Sequence, residues 1–300
     1  MLPRIQLLLG ALLFSTGAVA IKLSTLGGWQ VAGLRAGIAA LVIAVVLPRA
    51  RRLGDWRVWL VALPYAATFV LYTLANKQTT AANTIFLQDT APLYLLILSP
   101  LLLREPVKRS DVGLLIAMVV GTTLLFAAGA DRQATAPNPG LGNVLALTAG
   151  ATWALSLLGL RWIALRAAMT GAEPLAVIVA GCVLALVVGM AAQLPQPLYP
   201  SADWTSADWG IVAYLGVVQI GLAYVLVTRG LGEVSALEAS LLLLAEPVFT
   251  PIWAWAVLGE TPRPIALAGG AIILAAIAAN AVRRGVSSAT RRIGSARGNG

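Results

Sequence analysis

Three charged residues lie deep inside long apolar segments, where burial of a charge costs free energy. Asp89 is roughly 12 Å and Arg35 roughly 9 Å from the nearer segment end, at about 1.5 Å per helical residue. A charged side chain at the centre of a bilayer costs about 2.5–3.5 kcal/mol on insertion scales, so each needs a partner or a purpose. Two opposite charges at similar depth favour either an Arg35–Asp89 ion pair that holds two helices together or a site for a polar ligand.

Glu246 lies near the centre of another apolar segment, directly before Pro247. Proline has no backbone N–H, so it frees a carbonyl about one turn upstream. A carboxyl group beside such a disturbed turn is suited to bind a proton or an ammonium group. The alternative is a protonated glutamic acid that donates a hydrogen bond to a neighbouring helix.

Uncharged groups in the same segments could accompany these charges. Gln88 adds a hydrogen-bonding amide next to Asp89. The aromatic side chains away from segment ends are Phe14, Tyr72, Tyr94, Trp153 and Tyr224. A buried indole N–H needs an acceptor, so we expect Trp153 to face a polar cavity. Core packing is the alternative for all five rings.

The remaining acids in or beside apolar segments have structural interpretations. Ser235 and Glu238 fit a capping box, and Thr80 and Asn83 stand at the same places in an earlier segment. Glu105 and Glu260 each end a long segment just before the next one begins. We expect each to stabilise the N-terminus of the helix that follows it.

The composition indicates a membrane protein. Of 300 residues, 59% are hydrophobic and only 11% are charged, against about 25% charged in soluble proteins. Histidine is absent, which excludes a Ser-His-Asp triad and the usual zinc ligands. A single cysteine, Cys182, excludes an internal disulfide framework. We therefore predict no cofactor and no metal site.

Ten apolar segments each approach the roughly 20 residues that cross a bilayer. They are Ile5–Ile21, Trp29–Leu47, Val58–Leu74, Ala81–Leu103, Val112–Ala127, Leu141–Trp162, Pro174–Leu194, Trp209–Thr228, Ala236–Leu258 and Pro264–Val282. The predicted fold is all-α, a polytopic membrane protein with ten transmembrane helices.

The basic residues predict the orientation of these helices. With the N-terminus inside, 16 of the 21 Lys and Arg residues fall on the inner side, 4 fall on the outer side, and Arg35 lies within a helix. This bias predicts cytoplasmic N- and C-termini in a bacterial inner membrane. The +9 charge is spread over several loops, which argues against nucleic-acid binding. A cleaved signal peptide is the alternative for the first segment, but its removal would leave nine segments and disturb the excess of basic residues on the inner side.

The chain repeats itself. An offset of 155 residues superimposes Thr80–Ala128 on Ser235–Val282, and an offset of 139 places Phe14 on Trp153 and Lys22 on Arg161. Because each half holds five segments, an odd number, the halves should be inverted relative to each other. The predicted units are residues 1–128, a periplasmic linker at 129–140, residues 141–284, and a basic disordered tail at 285–300 that touches anionic lipid. Small residues in the fifth and tenth segments predict close helix packing.

Two motifs resemble those of the ten-helix drug/metabolite transporters with EamA domains. They are Ala91-Pro92-Leu93 with Leu103-Arg104-Glu105, and Val234-Ser235-Ala236 with Leu244-Ala245-Glu246-Pro247 and Leu258-Gly259-Glu260. The resemblance covers residues 10–282. It implies two inverted five-helix repeats around a central cavity, with export of small metabolites, often amino acids, by alternating access. Phe14, Gln88, Asp89, Trp153 and Glu246 lie on helices that it implies line the cavity.

The resulting hypothesis is a secondary transporter, not an enzyme, that exports a small amino-acid-like metabolite. The expected substrate-binding residues are Phe14, Arg35, Tyr72, Gln88, Asp89, Tyr94, Trp153, Tyr224 and Glu246. The acids would receive an ammonium group or a proton, and Arg35 a carboxylate. Efflux of organic cations or drugs is the alternative, and an intramembrane enzyme is a remote one. The expected partners are a small-molecule substrate, membrane lipid and a proton as candidate coupling ion, in a monomer or a homodimer.

Overall fold

A computed structural model describes residues 2–102, 111–127, 134–193, 204–231, 242–243 and 245–297. These residues are mainly helical. The helices are α1 Leu2–Ser15, α2 Gly17–Leu23, α3 Gly28–Val46, α4 Trp56–Gln78, α5 Ala81–Gln88, α6 Ala91–Leu102, α7 Asp111–Ala127, α8 Pro139–Thr170, α9 Pro174–Ala191, α10 Ser206–Ala213, α11 Ala223–Leu231, α12 Ala245–Leu258 and α13 Pro264–Arg297. A 3₁₀ turn spans Pro48–Arg51, and a π-helical segment, Tyr214–Leu222, joins α10 to α11.

Six helical stretches of the described residues are long and apolar enough to cross a membrane. They are Leu2–Leu23, Gly28–Val46, Trp56–Gln78, Pro139–Ala164, Pro174–Ala191 and Ser206–Gly230. Two shorter apolar stretches, Leu115–Ala127 and Pro264–Ala279, lie within α7 and α13. The all-helical membrane class is therefore confirmed for the described part of the chain, whereas the count of ten and the inversion of the halves stay predictions.

Two of the predicted helices are interrupted in the middle. The first is divided at Thr16, where the hydroxyls of Ser15 and Thr16 bond back to the carbonyls of Leu12 and Leu13, both at 2.7 Å. The fourth is divided at Asp89–Thr90, between α5 and α6. Pro92 has no N–H to offer the carbonyl of Gln88, so the helical ladder ends there. The sequence predicted one long helix with a central proline at this place.

The most extensive helix contacts join the two halves of the chain. Helix α4 packs on α8 and α9, α3 packs on α9, and α1 packs on α11. At the α3–α9 crossing, a Cβ built on Gly189 would lie 2.7 Å from the Cα of Gly33, so the two backbones touch. The buried core of Ala, Val and Ile side chains follows these contacts.

Helices α7 and α13 also pack closely, as their small residues predicted. A Cβ on Gly121 would lie 2.8 Å from the carbonyl oxygen of Gly269. Only glycine allows this approach, and small residues drive such contacts between helices in lipid. The two predicted packing surfaces thus face each other across the halves.

The structure differs from the sequence predictions at the C-terminal tail. Helix α13 continues through residues 285–297, which were expected to be disordered. A helix that is already nucleated in the membrane extends without a new nucleation cost, and this tail contains Ala and Arg but no proline.

The predicted helix caps are partly reproduced. Thr80 caps α5 by accepting the N–H of Asn83 at 3.2 Å, but the Asn83 side chain donates to Asn143 at 3.2 Å instead of closing a capping box. Glu260 does not stabilise the helix that follows it, because its Oε2 accepts the N–H of Ala81 at the start of α5. Glu105, Ser235 and Glu238 lie outside the described residues.

Candidate functional site

A cavity of about 170 Å³ lies between the two halves of the chain. Its walls come from α1, α3, α4, the α5–α6 break, α8, the π segment, α11 and α12. It is lined by Phe14, Arg35, Tyr65, Thr68, Phe69, Tyr72, Gln88, Asp89, Trp153, Gln219, Ile220, Tyr224 and Glu246. The helix break at Asp89 therefore opens directly onto the cavity.

Eight of the nine residues proposed from the sequence line this cavity, and Tyr94 does not. The hydroxyl of Tyr94 donates to the carbonyl of Leu147 at 3.2 Å. The break at Asp89–Thr90 gives α6 its own start, and α6 packs against α8. Tyr94 is thereby directed into a helix–helix contact and lies apart from the other eight.

Arg35 is buried in the cavity wall with 2% of its surface exposed. Its Nη2 donates to the carbonyl of Phe69 at 3.2 Å, and its guanidinium carbon lies 4.2 Å from the centre of the Phe69 ring. Of the carboxylates in the described residues, none lies within 4 Å of Arg35. The interpretation of Arg35 and Asp89 as an ion pair between helices is therefore wrong.

Asp89 and Glu246 are half-buried carboxyl groups in the same cavity wall, neither of them in an ion pair with Arg35. Within the described residues, neither carboxyl group accepts a hydrogen bond or joins an ion pair. Tyr72 interacts electrostatically with both of them and with Arg35, so the two signs of charge lie near one ring. Among the residues that the structure describes, the cavity thus holds two acids without a cationic partner and one arginine without an acidic partner.

Aromatic side chains form the remaining apolar wall. The hydroxyl of Tyr65 donates to that of Tyr224 at 2.5 Å, and the Tyr224 ring meets Phe14 edge-on at 5.1 Å. Trp153 packs edge-on against Tyr65 at 6.2 Å. The indole N–H of Trp153 has no acceptor among the described residues, so it is free to donate to a ligand. Edge-on pairs hold the rings in fixed orientations.

The sequence reasoning missed five lining residues: Tyr65, Thr68, Phe69, Gln219 and Ile220. Tyr65, Thr68, Phe69 and Tyr72 follow the spacing i, i+3, i+4, i+7, so they share one face of α4. That stripe was visible in the sequence. Gln219 was also visible as a polar residue inside an apolar segment, and its Nε2 donates to the carbonyl of Phe14 at 3.2 Å.

Comparison with known proteins shows which family has this sequence pattern. The model of the EamA-like transporter family matches residues 2–127 and 140–282. The chain belongs to that family. This EamA-like transporter is therefore a membrane transporter of the drug/metabolite superfamily, as its motifs indicated.

Two proteins similar to this EamA-like transporter share less than a quarter of its residues. An uncharacterized transporter, YyaM, of Bacillus subtilis (strain 168) is 24% identical over 252 residues, which cover 81% of this chain and 80% of the relative. A solved crystal structure matches with a TM-score of 0.61 at 19% identity, over 92% of this chain and 95% of the other. At that identity the structural likeness shows the fold alone.

Proposed function

We propose that this transporter exports a small, amino-acid-like metabolite across the bacterial inner membrane. Both termini would lie in the cytoplasm, as the bias of basic residues predicts. Substrate would enter the cavity between the halves from one side and leave from the other by alternating access. The cavity volume of about 170 Å³ favours a small solute over a bulky drug.

One observation carries this proposal: the cavity presents a buried arginine and two unpaired carboxyl groups on different parts of its wall. A zwitterion has a carboxylate for Arg35 and an ammonium group for Asp89 or Glu246. A buried charge without a partner is costly, and a ligand that supplies the missing partner recovers that cost. The rings of Trp153, Tyr65 and Phe14 would contact the apolar part of the substrate.

The interrupted helices support movement between two states. The break in the fourth helix places a half-helix junction in the cavity wall at Asp89, and the one-residue interruption of the first helix at Thr16 lies two residues beyond Phe14 of that wall. Discontinuous helices near the middle of the membrane are a common feature of secondary transporters, because half-helices can tilt separately. The second carboxyl group leaves room for a proton as coupling ion when the first holds the ammonium group.

A panel of L-amino acids tests the proposal. We expect at least one of them to raise the melting temperature of the purified protein and to be transported in proteoliposomes. Asp89→Asn and Glu246→Gln should each reduce this transport at least tenfold, since an amide cannot neutralise an ammonium group. Asp55→Asn is the matched control, because Asp55 caps α4 away from the cavity. Wild-type transport by Asp89→Asn would refute its role in binding.

Efflux of an organic cation remains a second candidate, favoured by the acids and rings of the same cavity. Cation–π contacts with Tyr72, Tyr224 or Trp153 would hold a quaternary amine. Arg35 distinguishes the two candidates, because it repels a cation and attracts a carboxylate. If Arg35→Leu improves the thermal shift produced by tetraethylammonium while no amino acid binds the wild type, the cation is the better substrate class.

A further inference from the structure

A second group of buried polar residues lies at the helix ends away from both chain termini. Nζ of Lys22, at the end of α2, lies 3.0 Å from Oε1 of Glu260, which follows α12. The same ammonium group donates to the carbonyls of Thr79, at 2.6 Å, and Thr135. Two of its N–H groups thus donate to main-chain carbonyls, and its charge is paired with Glu260, whose Oε1 accepts no hydrogen bond from the described residues. The Lys22 and Glu260 side chains are only 2% and 1% exposed.

The second oxygen of Glu260 ties this pair to α5. Oε2 accepts the N–H of Ala81, the first residue of α5, at 2.9 Å. Gly259 places Glu260 there: it ends α12 with a φ of +67°, and the N–H of Glu260 then bonds back to the carbonyl of Ala254 at 3.2 Å. Lys22, Thr79 and Ala81 belong to the first half of the chain and Glu260 to the second, so the cluster joins the halves.

Between this cluster and the cavity lie two further layers of side chains. The first joins α1 to α12, and the second joins α2, α5 and α12. Next to the cavity, Ser15 accepts a hydrogen bond from the indole of Trp253 at 2.9 Å, and its carbonyl accepts one from Thr250 at 3.3 Å. Beyond them, small side chains pack together in one cluster, which comprises Ala18, Val19, Ala81 and Ala254 with Trp253 and Leu258. Along α1–α2 and along α12 the order is the same: cavity, polar contacts, packed layer, then the ion pair. On α5, Ala81 belongs to the packed layer and its N–H bonds to Glu260.

We propose that the Lys22–Glu260 ion pair is the gate that closes the cavity on this side of the membrane. When the pair separates, α2 and α5 lose their polar contacts with α12. The packed layer between the pair and the cavity is then no longer held together at that end. The inference rests on the alternating-access part of the proposed function, but not on the identity of the substrate.

An ion pair is well suited to such a gate. In the closed state the two charges are desolvated but paired, and in the open state they are separated but hydrated. For buried pairs the cost of desolvating the two charges and their mutual attraction nearly cancel. The gate can therefore open and close without a large net change in free energy. Removal of one partner leaves the other charge buried and unpaired, which disfavours the closed state. Replacement of both charges by neutral side chains, with an amide oxygen kept at position 260 to accept the N–H of Ala81, removes the desolvation cost of the charges and favours the closed state.

Cysteine accessibility tests the gate without a known substrate. The only native cysteine, Cys182, is fully buried, so Cys182→Ala with Thr68→Cys gives one reporter in the cavity wall. A membrane-impermeant methanethiosulfonate reagent is applied to intact cells and to inverted vesicles. From the Lys22 side we expect slow labelling of the reporter, and labelling about tenfold faster or more in Lys22→Met and in Glu260→Gln. The double variant Lys22→Met/Glu260→Gln, whose amide oxygen can still accept the N–H of Ala81, should label as slowly as the parent.

Lys77→Met is the matched control. Lys77 is a second, partly buried cation near this end, but it donates to the carbonyl of Ser24, so its hydrogen bond lies within the first half of the chain. Lys77→Met should leave the labelling rate unchanged.

Melting temperatures of all variants separate gate opening from unfolding, and the double variant should melt no lower than the parent. The proposal is overturned if the single variants label at the parental rate, or if the double variant labels as fast as they do. Failure of every amino acid in the transport panel would leave this result unaffected.

Discussion

Arg35 is held in place by Phe69, whose carbonyl accepts its Nη2 at 3.2 Å and whose ring faces its guanidinium at 4.2 Å. Phe69 thus fixes the orientation of the charge without neutralising it. A carbonyl and a ring face carry only partial negative charge, so the guanidinium retains most of its attraction for an anion. This distinguishes Arg35 from Lys22, whose ammonium group is paired with a carboxylate.

The first prediction concerns the shape of this cation. Arg35→Lys keeps the charge but loses the planar group that stacks on Phe69 and holds a carboxylate with two bonds. We expect binding of any amino acid that stabilises the wild type to weaken about tenfold or more. Ligand-dependent melting curves measure this. Arg52→Lys, at an exposed position, should bind like the wild type. Equal affinity of both variants would contradict the role of Arg35.

The Tyr65–Tyr224 pair gives an asymmetric prediction. Tyr65 is 2% exposed and donates its proton to Tyr224, which is half-buried beside the cavity. Tyr224→Phe leaves the buried hydroxyl of Tyr65 without an acceptor, which should lower the free energy of unfolding by about 1–3 kcal/mol. Tyr65→Phe leaves the Tyr224 hydroxyl, which can turn to cavity water. Melting temperatures should therefore fall more for Tyr224→Phe, and the double variant should recover part of that loss.

The glycine contact between α3 and α9 predicts a stability difference between two conservative changes. Gly189→Ala places a methyl group 2.7–2.8 Å from backbone atoms of Gly33 and Trp29, which cannot turn aside. We expect a loss of about 1–3 kcal/mol from this overpacking. Gly113→Ala in α7 meets nothing within 4 Å and should be neutral or slightly stabilising. Thermal unfolding in detergent compares the two, and equal melting temperatures would show that the backbones do not touch.

Asp208 is a structural acid that the sequence reasoning passed over. Its carboxylate accepts the hydroxyls of Ser24, Thr25 and Thr205 at 2.7–2.8 Å and the backbone N–H groups of Thr25 and Thr205. Asp208→Asn replaces one acceptor oxygen by an NH₂ group, which then faces the hydroxyl and N–H donors that the carboxylate oxygen had accepted. We expect a loss of about 2 kcal/mol or more, since hydrogen bonds to a charged group are the stronger ones.

Urea titration or thermal melting measures this loss for Asp208→Asn. The helix cap Asp55 again offers the comparison, because asparagine caps helices as well as aspartate does. Similar stability of the two variants would mean that the Asp208 network contributes little.

The sequence predicted the local features and missed those that depend on contacts between distant residues. Charges inside apolar segments are costly wherever they lie, so Arg35, Asp89 and Glu246 could be chosen without a structure. The side chain that contacts each of these charges could not be predicted from the sequence. The roles of Lys22 and Glu260 depend on where α2 and α12 meet, and neither residue's neighbours in the chain indicate that meeting.

Helix continuity was the second limit of prediction. Pro92 marked a disturbance in the fourth helix, but the interruption at Thr16 came from hydroxyls that bond back to their own helix, a pattern that also occurs in unbroken helices. The turn of Tyr94 toward Leu147 followed from such a break. Interruptions change which face a later residue presents, so errors of this kind affect side chains beyond the break.

The contacts of α4 with α8 and α9 have a consequence for biogenesis. During synthesis, α4 is complete at Gln78, while the last residue of α9 is Ala191. At about 5–20 residues per second, the ribosome needs roughly 6–20 s to supply the missing helices. Throughout that interval the early helices must wait in lipid, or beside an insertase, with Arg35 not yet shielded by its final neighbours.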